Sequence, residues 1–327
     1  MNVDRGQESF TAEEELELRK RLLAYKTDNG KTWATVAAEV GIVVGTLSVW
    51  ATGSYNKGQP APQITAAVNK FFLHQEAQAE IDRAAPIVPK FQATRTAKRI
   101  IGALRWGHRG KVVVIVGDPG VGKTAALDQY CAITPNAWKA TMSPSTARLR
   151  PALVAVLQAM GVNSRPASTM MLSSVVRDRA ANREGLLIID EAQHLTQEAL
   201  EELRAIHDET GCGLVLCGNR QVLTRIEGAS RDAAFAQLYS RVSVRLIIAG
   251  PHVEDLALLL TAWKVTDERE RSFLTEIAKR PGGGAVRSLT NTLEYATILA
   301  MDEAEADRVL EHLKDAWAAL STRTATA

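Results

Sequence analysis

The stretch "KVVVIVGDPGVGKTAALDQY", Lys111 to Tyr130, decides the fold. Val112 to Val116 are apolar without alternation, the pattern of a strand covered on both faces. A glycine-rich turn follows, and then helical spacing. Gly117, Gly122, Lys123 and Thr124 fit G-x-x-x-x-G-K-[ST] in the strand, turn and helix context that the motif requires. Glycines let the main chain wrap closely round phosphate oxygens, while backbone N–H groups and the helix N-terminus supply positive potential. The expected nucleotide-binding segment is Gly117, Asp118, Pro119, Gly120, Val121, Gly122, Lys123, Thr124 and Ala125. Lys123 reaches the β and γ phosphates and Thr124 ligates Mg²⁺.

A phosphate loop alone serves a small-molecule kinase, a GTPase or a motor ATPase, so residues further along must discriminate. "GLLIIDEAQHL" ends an apolar strand with Asp190 and Glu191. The first carboxylate is placed to orient the Mg²⁺ shell and the second to polarise the attacking water. "GLVLCGN" ends in Asn219, whose amide is expected to hold that water or touch the γ phosphate. In "LYSRVSVRLIIAG", Arg241 precedes another strand and is expected to face a neighbouring subunit's γ phosphate, with Arg231 and Arg245 as rivals. "RPGGGAVRSLTN" places Arg287 at the start of a helix, where it senses the γ phosphate. The bland readings are a solvated turn for Asp190 and Glu191, a turn residue for Asn219 and surface charge for the arginines.

Working outward, short apolar runs alternate with helical stretches after Lys111: "VVVIVG", "WKATMS", "GLLIID", "GLVLCGN" and "VRLIIAG". That alternation predicts an α/β unit, a parallel sheet with helices on both faces. Beyond "AGPHVEDL" the chain reads as helix alone. "GSYNKGQPAPQ" and "AAPIVPKFQ" punctuate the N-terminal part. The boundaries drawn are a helical domain over 1–62, a helical connector over 63–92, the α/β core over 93–250 and a helical lid over 251–327.

With 46% hydrophobic and 23% charged residues in 327, the composition is that of a globular protein of two or three units. No apolar run reaches the roughly 18 residues that span a bilayer, and the acidic N-terminus is unlike a signal peptide, so a cytoplasmic location without a membrane partner is expected. Cys131, Cys212 and Cys217 have neither disulfide-framework nor zinc spacing. The net charge of +2 conceals segregation: Lys90 to Lys111 holds seven Lys or Arg and no carboxylate, and Gln129 to Arg177 has no Asp or Glu. Unopposed cations beside a nucleotide loop point to a polyanionic partner, although a charge run is also an ordinary solvated face.

"KTWATVAAEVGIVVGTLSVWATG", Lys31 to Gly53, has helix-turn-helix spacing. Val36, Ala37 and Val40 share a face, Gly41 makes the turn, and Leu47 and Trp50 return an apolar face from the second helix. Docked on DNA, that helix enters the major groove with Thr46 and Ser48 as its outward polar residues. Both are poor base readers, so sequence preference is weak. Lys31 and Lys57 are expected on phosphates. The same unit without DNA is a small packing domain.

The order of phosphate loop, Asp-Glu strand, Asn strand end, Ser-Arg and G-x-x-R resembles the AAA+ ATPase family over roughly Phe91 to Leu320. Such a resemblance implies an AAA+ parallel sheet with a helical lid, and oligomers in which one subunit's arginine completes its neighbour's site. With the N-terminal unit it narrows to the target-DNA activator ATPases of Mu-like transposable phages. "VGTLSVWATGSYNKG", "GDPGVGKT", "LLIIDEAQHLTQEALEELR", "GLVLCGN" and "LYSRVSVR" carry the likeness. What it implies is an ATP- and Mg²⁺-dependent ATPase that binds double-stranded DNA with weak sequence preference and polymerises on it as a helical filament. It would stimulate a partner transposase in the bacterial host's cytoplasm, hydrolysis releasing it from DNA. "GGGAVR" departs from the shorter turn of the family. In a filament with DNA along its axis, Lys139, Arg148 and Arg150 are the expected phosphate contacts, with Lys98, Arg99 and Arg105 second. Two other classes compete: a DNA-binding regulator switched by nucleotide without useful turnover, and a membrane-secretion ATPase.

Overall fold

A computed structural model describes residues 10–55, 60–84, 88–163, 168–228, 240–280, 282, 284–303 and 308–321. The chain forms two compact units, Met1–Pro86 and Ile87–Ala327. Lys57 and Arg231 lie outside the described residues.

The first unit contains helices α1 (Ala12–Asp28), α2 (Trp33–Val40), α3 (Val44–Ala51) and α4 (Pro62–Ala84). Thr11 starts α1 with a capping box to Glu14, which satisfies N–H groups that a helix end leaves unpaired. Gly41 ends α2 at φ 79°, a left-handed conformation that glycine adopts without penalty. The axes of α2 and α3 then meet at 102°, helix-turn-helix geometry. Leu22, Val36, Leu47 and Trp50 are wholly buried together. Ile64, Val68 and Phe72 of α4 pack into the same core, so the segment expected as a connector helps to build this unit. Buried Glu15 accepts from Trp50 Nε1 at 3.1 Å and from the Ala61 N–H at 3.4 Å, pairing a charge that would otherwise be costly.

The positions expected to meet DNA differ in their surroundings from that expectation. Thr46 and Ser48 are half-buried, and the Ser48 hydroxyl donates to the Gly45 carbonyl at 3.1 Å. The outward surface is apolar instead: Val43 is 74% exposed, with Val44 and Val49 each at 42%. A helix advances about 100° per residue, so Thr46, next to buried Leu47, lies on the flank. Lys31 is also committed, donating to Glu39 at 2.7 Å and to the Tyr25 hydroxyl. The Glu39 hydrogen bond, followed by that to Tyr25, raises its pKa.

The second unit begins with α5 (Arg95–Gly107), β1 (Val112–Gly117), α6 (Lys123–Ile133), β2 (Ala137–Thr141), α7 (Leu149–Ala159) and α8 (Thr169–Ala180). It continues through β3 (Leu186–Asp190), α9 (Gln197–Thr210), β4 (Gly213–Gly218), α10 (Arg220–Gly228) and β5 (Val242–Ile248). All sheet pairings are parallel, in the order β2-β3-β4-β1-β5. Strand side chains alternate between faces. Val112, Val114 and Val116 meet Leu153, Val156 and Leu203 on one side, while Val113 and Ile115 meet Ile100, Leu104 and Leu127 on the other. Each such side chain contributes about 1.5–3 kcal/mol on burial, and covering both faces explains the unbroken apolar runs.

Helices α11 (Val253–Ala262), α12 (Glu268–Lys279), α13 (Ala285–Asp302) and α14 (Leu310–Ser321) have their own core around Leu260, Leu274, Leu289, Leu293 and Leu313. This lid is fastened to the sheet layer at a charged contact. The buried Asp255 carboxylate accepts from the N–H groups of Arg95 at 2.6 Å and Thr96 at 3.2 Å, at the positive end of α5. No single helix among the described residues is long and apolar enough to cross a membrane.

Candidate nucleotide site

Strand order creates the site. β4 lies between β1 and β3, so Asn219 emerges between the phosphate loop and Asp190 at the carboxyl edge of the sheet. Ligands of open α/β sheets bind at this edge, where strand order reverses. Here a cavity of about 320 Å³ is lined by the loop residues Gly117, Pro119, Gly120 and Gly122 to Ala125, by Glu191 and Asn219, and by Arg287, Thr290 and Asn291 of α13, whereas of the expected nucleotide-binding segment Asp118 does not line it and Val121 packs into the core beneath the loop. The structure therefore brings Glu191, Asn219, Arg287 and the loop residues together.

Gly120 and Gly122 hold φ values of 79° and 87°, which wrap the loop over the start of α6. Lys123 Nζ donates to the carbonyls of Gly117 at 2.7 Å and Asp118 at 3.0 Å, bracing the loop from within. Thr124 Oγ1 donates to Asp190 Oδ2 at 3.1 Å, and Asp190 is 2% exposed. A buried carboxylate beside a hydroxyl at the first turn of a helix suits a hard divalent cation that also holds phosphate oxygens. Among the described residues no cluster of three or more His, Cys, Asp or Glu is able to hold a metal alone. The donor set thus fits Mg²⁺ arriving with a nucleotide, and the glycine-lined cradle fits the phosphates.

Glu191 occupies the left-handed region at φ 54°, uncommon for a residue with a side chain. Its N–H donates to Asp190 Oδ1 at 3.0 Å. Asn219 Oδ1 accepts from the Gln221 N–H at 2.9 Å, so in this conformation the amide also caps α10. Asp118 is 3.8 Å from Arg220. Burial pushes the Cys217 thiol upward, near Asp190, and leaves it a neutral core residue of β4.

Arg241 stands at the other end of the sheet. Its neighbour Val242 pairs with Val112 at the start of β1, whereas the loop begins at Gly117, so roughly 17 Å separates it from its own cavity at about 3.3 Å per residue. Its Nε donates to Asp208 at 3.1 Å. Asp208 is lowered in pKa: burial acts to raise it, but Arg241 and Arg204 outweigh that. Arg245 is exposed on β5, paired in register with Val114.

Of the residues expected on phosphates, Lys139 is mostly buried and paired with Asp128. Arg148 and Arg150 are exposed at the start of α7, just beyond the carboxyl end of β2. Their segment touches the Glu191 segment, where the Thr196 N–H donates to the Ala147 carbonyl at 2.9 Å. Lys98, Arg99 and Arg105 are exposed on α5.

Three positions at or beside the cavity escaped the sequence reading. Thr290 and Asn291 follow Arg287 by three and four residues, so helical spacing alone would have put them on its face. Gln193, between Glu191 and Asn219, carries no such signal because its second partner is 26 residues away.

Comparison with known proteins agrees with this fold. The family model of AAA domains matches residues 107–226, and that of the Mu B transposition protein, C terminal, matches residues 240–320. The chain is 33% identical over 290 residues to the ATP-dependent target DNA activator B of Escherichia phage Mu, covering 88% of this chain and 90% of that protein. It is 34% identical to the Mu-like prophage FluMu DNA transposition protein B of Haemophilus influenzae, covering 84% of this chain and 94% of the relative. The ORC2 protein of Aeropyrum pernix in its ADP form shares the fold, with a TM-score of 0.52 and 17% identity over 68% of this chain and 66% of that one. Drosophila ORC bound to DNA does so with a TM-score of 0.51 and 18% identity over 72% and 63%.

Proposed function

The chain belongs to the family of ATP-dependent target DNA activators B, and from that premise we propose that it is an Mg²⁺-dependent ATPase that assembles on double-stranded DNA as a helical filament and stimulates a partner transposase. Bound ATP with Mg²⁺ supplies the phosphoanhydride and a Lewis acid for its oxygens. The chain supplies the rest. The loop N–H groups and Lys123 would hold the phosphates, Thr124 and Asp190 would hold the cation, Glu191 would take up the proton of the attacking water, and Asn219 and Arg287 would lie toward the terminal phosphate.

One observation supports this reading: the cavity is lined by Glu191 and by Thr124, which is hydrogen-bonded to buried Asp190, while Arg241 sits at the opposite end of the sheet. An arginine so placed serves a neighbouring copy. Its exposed pairing with Asp208 is weak, worth at most about 1 kcal/mol, and exchanges readily for a phosphate. Arg148 and Arg150 are the proposed DNA-phosphate contacts, linked through Ala147 and Thr196 to the segment that carries Glu191. The outward face of α3 is apolar and Lys31 is paired internally, so neither is assigned here to DNA phosphates. The boundaries 93–250 and 251–327 are kept as ATPase core and lid.

Electron microscopy with duplex DNA under ATP and under ADP tests the proposal. Ordered filaments with ATP alone are expected; monomers on DNA under either nucleotide would refute it. Glu191→Gln is expected to bind ATP and to stay on DNA far longer than wild type. Equal lifetimes would favour a nucleotide switch without useful turnover.

A further inference from the structure

Gln193 lies two residues after Glu191 in a short 3-10 turn, Ala192–His194, and its side-chain amide works in two directions. Nε2 donates to Glu191 Oε2. Oε1 accepts the main-chain N–H of Asn219 across a long 3.4 Å. Room for the amide comes from Gly218: a Cβ there would lie 2.2 Å from Gln193 Oε1. The end of β4 is thus notched where the amide crosses it. Gln193 is not among the residues lining the cavity, so it acts from behind the wall.

Glu191 is held at both ends. Its backbone, in the left-handed region at φ 54°, is tied to Asp190 Oδ1, and its carboxylate is tied to Gln193. Residues in such sparsely populated conformations persist only where their surroundings fix them, and they cluster at functional sites. A free glutamate samples several rotamers, few of which aim an oxygen at a water beside the terminal phosphate.

We propose that Gln193 is a positioning residue for hydrolysis, a single amide that locks the Glu191 carboxylate to the Asn219 end of β4. The water-polarising group and the residue beside the terminal phosphate then move as one unit. The inference rests on the assignment of Glu191 made above and adds to it the residue that aims it.

Steady-state ATP hydrolysis by the full-length protein tests this, with binding of a fluorescent ATP analogue measured alongside. Gln193→Met keeps the length and removes both hydrogen bonds; kcat is expected to fall about tenfold with KM and analogue affinity within about twofold. Gly218→Ala, whose methyl would crowd the amide and also Val222 Cγ2 at 2.8 Å, is expected to lower kcat as well. Unchanged kcat in Gln193→Met overturns the proposal, as does a loss confined to KM. Should Gly218→Ala not fold, the Gln193→Met arm decides. Absence of turnover in the wild-type chain would overturn the ATPase reading as well, whereas normal turnover in both proteins overturns this inference alone.

Discussion

The main-chain N–H of Arg287 donates to the carbonyl oxygen of Gly120 across 3.2 Å, so the first turn of α13 rests directly on the phosphate loop. A Cβ on Gly120 would lie 1.8 Å from the Gly284 carbonyl oxygen, at a φ of 79°. Gly120→Ala therefore combines backbone strain of about 1–2 kcal/mol with displacement of the lid. Gly122 has a similar φ of 87° but nothing within 4 Å of its Cβ position. Thermal melts of nucleotide-free protein are expected to show a clearly larger loss of Tm for Gly120→Ala than for Gly122→Ala. Equal losses would mean that the lid does not bear on the loop.

The central strands β1, β3 and β4 were legible in the sequence because burial on both faces demands unbroken apolar runs such as Val112 to Val116, whereas β2 and β5 at the sheet edges are only partly buried. The phosphate loop, Asp190, Glu191 and Asn219 were legible because motif order follows strand order. Contacts closed by the tertiary fold were not. Nothing near Asp255 in sequence announces Arg95 and Thr96, some 160 residues earlier. Ile64, Val68 and Phe72 show helical spacing, but spacing does not say which core they enter. Thr46 and Ser48 were misjudged because polarity was taken for outward orientation, while the valines of α3 face solvent.

Asp255 predicts how firmly the lid is fastened. Its carboxylate accepts two main-chain N–H groups and the Thr96 hydroxyl, the last at 2.5 Å. Asp255→Ala leaves those donors buried without a partner, at a cost of about 3 kcal/mol. Asp255→Asn keeps an acceptor oxygen and is expected to lose about half as much. Urea unfolding of both variants measures this. A loss below about 1 kcal/mol for Asp255→Ala would show that water replaces the carboxylate.

Cys212 predicts an alkaline limb of stability. Burial pushes its thiol from the ordinary value of 9.0 up to about 12. The fold favours the neutral form, so this contribution is intact below 9.0 and is lost as pH rises through about 12. Across that window it falls by about 1.4 kcal/mol per pH unit. Cys212→Ala should therefore show a shallower decline of Tm between pH 9 and pH 11 than wild type. Parallel declines would assign the alkaline limb to other groups.

Arg148 and Arg150 predict the salt dependence of DNA binding. Both are exposed at the start of α7, whereas the Lys139 side chain, beside Asp128, is 18% exposed. A cation that neutralises a phosphate releases counterions, and each such contact adds about 0.9 to the slope of log K against log salt. Arg148→Ala with Arg150→Ala is accordingly expected to flatten that slope by about 1.8 and to weaken all duplex sequences alike. Lys139→Ala is expected to alter it far less, since its ammonium is already neutralised within the protein. Anisotropy titrations with labelled duplex from 50 to roughly 200 mM salt cover the range in which counterion release dominates affinity. An unchanged slope in the double variant would move the DNA contacts elsewhere, with the exposed Lys98, Arg99 and Arg105 of α5 next to be tested.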